Sequence, residues 1–170
     1  MKTIYLLRHA KSSWDNRNLA DFERPLNESG VKTAPFMGEI IKKNNFQIDL
    51  ILSSPAERAK QTARLVKEAG ELKAEIRFDE RIYEASPLRL LEIVSELDKN
   101  TKSAMLVGHN PGFEGLVRFL SGETQSMPTA ALAVIDLDAD SWQEIEPGCC
   151  NLRLLIRPKE EMKTVAQAKF

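Results

Sequence analysis

Apolar residues in this chain fall into short continuous runs, and these alternate with stretches where they recur every third or fourth position. The runs at residues 3–7, 49–53 and 103–107 show little polar alternation, which predicts strands buried on both faces of a sheet. A weaker run at 75–78 predicts one more strand. Between the runs lie three helical stripes: Ala56, Ala59, Ala63 and Val66; Leu90, Leu91, Val94 and Leu97; and Phe113, Leu116, Val117 and Leu120. They predict helices over 55–69, over 87–97 and just after His109. Residues 29–43 also read as a helix, in which Pro35 must kink the axis or delay its start. Residues 131–137 and 152–157 predict two closing strands joined as a hairpin, since no helical pattern separates them. Strands alternating with helices predict an α/β fold: a three-layer α/β/α domain around a largely parallel sheet. That domain is expected over 1–157, with charged residues 158–170 as a C-terminal tail.

Composition narrows the function classes. The 170 residues suffice for one well-buried core. Twenty-four basic and 25 acidic side chains leave a net charge of −1, far from the basic footprint of a nucleic-acid binder. A positive site must therefore be local, assembled from a few residues. No apolar stretch approaches the ~20 residues of a membrane span, and no secretory leader pattern opens the chain. The expectation is a cytoplasmic protein with neither nucleic-acid nor membrane partners. Cys149 and Cys150, the only cysteines, are adjacent and read as two reduced thiols. No histidine has a second ligand at metal spacing, so no metal is expected.

The two histidines carry the chemical signal. His9 closes the first apolar run behind Arg8, and His109 closes the run at 104–108. Ligands of open α/β sheets bind outside the carboxyl ends of the strands, so both imidazoles are expected at one edge, beside an arginine. Ser54-Pro55, Ser86-Pro87 and Asn110-Pro111 each set a capping residue before a proline suited to the first helical position. Helix starts of this kind suit phosphate. Arg58, one turn into the second helix, is electrostatically misplaced near an N-terminus unless an anion binds there. Gly108 and Gly112 flank the second histidine and are expected to let backbone approach a ligand. Glu84, in the acidic stretch 79–84, reads by itself as a surface carboxylate.

Taken together, three segments resemble the signatures of the two-histidine phosphatase superfamily, which also contains the phosphoglycerate mutases. They are Leu7-Arg8-His9-Ala10, Ser53-Ser54-Pro55-Ala56-Glu57-Arg58-Ala59-Lys60-Gln61-Thr62 and Gly108-His109-Asn110. The short length, Lys11-Ser12-Ser13-Trp14, Arg24-Pro25-Leu26 and Tyr83-Glu84-Ala85 resemble its small SixA-type branch, the phosphohistidine phosphatases. The resemblance implies a phosphoglycerate-mutase-like fold. It also implies His9 as the nucleophile that forms a phosphohistidine intermediate, with Arg8, Arg58 and His109 holding the phosphate oxygens. Glu84 becomes the proton donor. Neither cofactor nor metal is implied. The substrate implied is phosphohistidine on a protein; no oligomeric state follows.

Two positions depart from the mutase-like pattern. Ala10 stands where a glycine is common, and Asp15 stands where a phosphate-contacting asparagine is expected, so that contact is not carried over. One rival reading is a phosphatase of small phosphomonoesters such as a sugar phosphate or nucleotide. That reading needs a lid, and polar residues 15–28 are the only material for one. A rival of another class is a phosphate-binding module without turnover, which would retain Arg8 and Arg58 but have no need of His9.

Overall fold

The computed structural model describes residues 1–168. Six strands form one sheet: β1 (Lys2–Arg8), β2 (Leu50–Ser53), β3 (Glu75–Phe78), β4 (Ser103–Gly108), β5 (Leu132–Leu137) and β6 (Cys150–Ile156). Their order is β3-β2-β4-β1-β5-β6. β3, β2, β4 and β1 run parallel, whereas β5 is antiparallel to both of its neighbours. The largely parallel sheet and the closing hairpin are thus as the pattern predicts. The unalternated runs occupy the centre: every residue of β2 and β4 is buried. The two edges, β3 and β6, carry exposed charged or polar side chains, among them Glu75 and Asn151, which discourage further strand pairing.

Alternation along the strands sends side chains to two cores. Ile4 and Leu6 face one core with α3 (Pro87–Ser95) and α4 (Gly112–Ser121). Tyr5 and Leu7 face the other with α1 (Glu28–Lys43) and α2 (Glu57–Ala69). The result is three layers. A last helix, α5 (Pro158–Ala168), packs against α1. Pro35 lies inside α1 and does not delay its start, which Asn27 caps by accepting from the Gly30 N–H.

Of the three predicted Ser/Asn-Pro caps, only one is built as expected. Ser86 accepts from the Arg89 N–H with Pro87 at the first helical position. α2 instead starts at Glu57, two residues late; Ser54 Oγ accepts from the Ala56 N–H in the turn before it and meets His109 Nε2. α4 starts at Gly112 after a cis Asn110–Pro111 bond, and Asn110 Oδ1 still accepts from the Glu114 N–H at 3.2 Å.

Candidate active site

The register of the three central strands builds the site. Arg8 pairs with Gly108, and Ser53 with Val107, so each strand's next residue emerges side by side at the carboxyl edge. Two backbone bonds extend the ladder there: the His9 N–H donates to the Gly108 carbonyl, and the Ser54 N–H to that of Val107, both at 2.9 Å. The His9 and His109 rings consequently face each other with centroids 5.2 Å apart.

Each imidazole is held differently. His9 Nδ1 lies 2.7 Å from the Ala10 carbonyl, which can only accept, so Nδ1 carries the proton and Nε2 keeps its lone pair. Burial, with the charges of Arg58, Arg8 and Arg24, pushes the His9 pKa down to about 4. His109 Nε2 is 2.8 Å from Ser54 Oγ, while its buried Nδ1 has no partner. Burial, His9 and Arg58 lower the His109 pKa to about 3. Both rings are neutral at pH 7.

α2 works as a bracket around the first histidine. Thr62 Oγ1 donates to the Arg58 carbonyl at 2.7 Å and accepts from the Ala10 N–H at 3.0 Å. Gln61 Oε1 accepts from the Leu26 N–H. Ala59 has no exposed surface and packs into the core. Arg58 is buried with its side chain turned to the site, not on a solvated face. Its Nη1 donates to the Asp21 carbonyl and its Nη2 to the Asp21 carboxylate, at 2.7 and 3.0 Å. Arg8 Nη1 donates to the Met127 carbonyl at 3.0 Å, and its Nε is buried without a partner. Burial lowers the Arg8 pKa, and the like charge of Arg58 adds to the effect.

Gly108 corrects the expectation of a ligand-facing glycine. A Cβ there would meet the Phe113 ring at 2.8 Å and Ile82 at 2.9 Å, so its smallness serves helix–sheet packing. Likewise a Cβ at Gly112 would strike the Ala85 carbonyl.

The structure thus gathers Arg8, His9, Arg58 and His109, but leaves Glu84 at the rim. Glu84 is exposed, takes no part in the hydrogen bonds or ion pairs of the described residues, and has a left-handed backbone with φ 55°. Its neighbour Tyr83 is the residue that reaches inward, its ring set edge-on to His109 at 5.5 Å.

Three further groups were not singled out as site residues from the sequence. Arg24, buried, donates to the Ser12 hydroxyl, the Ser13 carbonyl and the Asp21 carboxylate. Asp21 Oδ2 also accepts from the Tyr83 hydroxyl at 2.6 Å. Tyr83, Arg24 and Arg58 together hold the Asp21 carboxyl well below the usual carboxylate range. Arg24-Pro25-Leu26 was visible as a motif, but its spacing from His9 runs through an irregular loop that no periodicity could place.

Three guanidinium groups around two neutral imidazoles form an anion cradle with a free nucleophilic nitrogen. Residues 4–90 match the model of the histidine phosphatase superfamily, branch 1. A Mycobacterium tuberculosis relative, the uncharacterized protein MT1313, is 31% identical over 157 residues, covering 86% of this chain and 96% of the relative. A crystal structure assigned by name to the phosphohistidine phosphatase SixA, from Agrobacterium tumefaciens, superposes with TM-score 0.80 at 30% identity. It spans 92% of this chain and 98% of that one. A protein histidine phosphatase SixA complexed with tungstate shares the fold, with TM-score 0.77 at 23% identity over 94% of this chain and 99% of that one. The chain belongs to the histidine phosphatase superfamily and is a phosphatase-type hydrolase. Among the described residues no helix is long and apolar enough to cross a membrane.

Proposed function

We propose that this protein hydrolyses phosphohistidine borne on another protein, through a covalent phosphohistidine at His9. The carrying observation is the His9 tautomer: Nδ1–H is spent on the Ala10 carbonyl, so the Nε2 lone pair is free amid Arg8, Arg24 and Arg58. Nε2 attacks phosphorus in line, a new N–P bond forms, and the bond from phosphorus to the substrate imidazole breaks. The arginines hold the equatorial oxygens, where charge gathers in the transition state, and His109 contributes a donor to them. Glu84 gives the departing nitrogen its proton, then takes one from the water that attacks phospho-His9. Phosphate leaves and His9 is regenerated. No step calls on a metal ion, because the guanidinium groups supply the positive charge.

A protein substrate is supported by the shape of the rim. Trp14 and Glu84 are exposed beside the cradle, an edge open to a protein-borne phosphate, whereas residues 15–28, which touch the cradle through Asp21, are the segment the small-ester reading would use as its lid. We place the enzyme in the cytoplasm.

The test is phosphate release in EDTA by wild type and His9→Ala, from a phosphohistidine protein and from p-nitrophenyl phosphate. Turnover that survives EDTA, favours the protein and drops on the order of 10³-fold or more in the variant is the expected result. Preference for the small ester would replace the protein substrate with a small one. Turnover retained by the variant would end the His9 mechanism.

A further inference from the structure

The cradle already holds an anion, and the protein supplies it. Both Oδ atoms of Asp21 accept from the guanidinium groups: Oδ2 from Arg58 and Oδ1 from Arg24, at 3.0 and 2.8 Å. The arginine side chains are 9% exposed, the aspartate 47%, so a half-exposed carboxylate is laid on two buried cations. Its charge reaches His109.

The segment bearing Asp21 is fixed at its neck and loosely held at its tip. At the neck, the Ser13 N–H donates to the Pro25 carbonyl and the Asn27 N–H to that of Lys11. Gln61 pins Leu26 from α2. At the tip, the side chains of residues 14–18 and 20–23 are exposed. Trp14, 73% exposed, stacks on the Arg24 guanidinium with 3.2 Å from centroid to Cζ. Phe22, 40% exposed, meets the Tyr83 ring at 5.1 Å. Apart from these aromatic contacts, Asp21 is what ties the tip to the body. A segment with so few buried contacts opens at low cost.

We propose that Asp21 is a built-in competitor for the phosphate site and that residues 14–23 are a gate opened by the incoming phosphoryl dianion. A phosphoryl group brings three equatorial oxygens, matching the two carboxylate oxygens and the carbonyl that Asp21 lays on Arg58 and Arg24, but two charges against one, so it displaces Asp21. A monovalent oxyanion such as nitrate does not. Asp21 therefore sets selectivity: the two arginines yield only to a ligand that outbids a carboxylate, and the gate swings into solvent when they do. The proposal rests on the phosphate-site reading above.

The experiment is calorimetric titration of the full chain with tungstate, inorganic phosphate and nitrate, for wild type, Asp21→Asn and Asp21→Ala. Removing the competitor should lower the Kd for tungstate and phosphate on the order of tenfold, as expected for loss of charge-assisted contacts, and bring nitrate into range. Hydrogen exchange of wild type supplies a readout that needs no variant: amides of residues 14–23 should exchange faster at tungstate saturation. Unchanged or weaker oxyanion binding in the folded variants would make Asp21 a strut for the arginines, and slower exchange of the tip would make the segment a closing lid. Either overturns the gate while leaving the phosphate site standing. Absence of tungstate and phosphate binding in all three proteins would instead remove the phosphate site itself.

Discussion

His9 and His109 show how the fold sets the state of a residue. An unperturbed imidazole is half protonated near pH 6.5. Here the pKa values lie at about 4 and about 3, burial being the larger cause for both. Protonation therefore favours the unfolded chain, so the stability these groups contribute is whole above pH 6.5 and is lost as pH falls toward the folded values. For His9 alone the loss is on the order of 3 kcal/mol by pH 4, at about 1.4 kcal/mol per unit. Urea unfolding between pH 7.5 and 4 should show this slope, and His9→Ala should flatten part of it. An equal slope in the variant would move the titration elsewhere. Arg58 gives the second residue-scale expectation. Its two terminal nitrogens, on Asp21 until phosphate displaces it, form the fork that takes phosphate oxygens and that a lysine cannot reproduce. Arg58→Lys should therefore keep the charge and fold yet lower kcat/KM on the order of tenfold or more, read from p-nitrophenyl phosphate kinetics.

At the scale of elements, α2 explains why its motif is written as it is. Ser54 meets His109, Arg58 faces the site, Ala59 packs, Gln61 holds the loop neck and Thr62 holds Ala10. The spacing of Arg58 and Thr62 by one helical turn lets a single hydroxyl bridge Arg58's carbonyl and the residue after His9. Thr62→Val removes both bonds from a buried position. It should cost about 1–3 kcal/mol in urea unfolding and lower kcat more than it raises KM, with Thr62→Ser restoring both. An undiminished kcat in a destabilised valine variant would confine Thr62 to stability. The same element marks the limit of what was legible. Strand runs and helical stripes located the sheet and helices to within a few residues, because burial and periodicity are local signals. The carboxyl-edge placement of both histidines followed from them. Arg24, Tyr83 and Asp21 did not, because they reach the site through loop and 3-10 segments whose path is set by long-range contacts such as Asp21 with Arg58. The Ser54 cap differs from expectation for a related reason: its hydroxyl accepts from the Ala56 N–H, one residue short of a cap bond, while meeting a tertiary partner in His109.

For the whole molecule, the question is how much of the chain the site needs. Arg157 ends the segment expected to form the phosphatase domain, and its side chain reaches back to residues 125 and 126, donating to Gln125 Oε1 at 3.2 Å and to the Ser126 carbonyl at 3.1 Å. The adjacent Met127 carbonyl accepts from Arg8 in the cradle. Beyond Arg157, α5 lies against α1 and buries Pro158 alone among its residues. A truncation and a substitution at the same place should therefore differ. A chain ending at Arg157 keeps Ile156 in the core and both Arg157 bonds, so it should retain kcat and KM and lose about 3 °C or less in Tm. Arg157→Ala in the full chain keeps α5 but releases residues 125 and 126, next to the Met127 carbonyl that orients Arg8 and that Asn110 also holds. It should raise KM several-fold, on the order of the loss of one or two charge-assisted bonds, with a comparable small change in Tm. Kinetics and thermal melts of the two proteins separate the cases. A truncated chain with raised KM would make α5 part of the site's support, and an unaffected Arg157→Ala would show that Asn110 and Glu114 hold Met127, and with it Arg8, without Arg157.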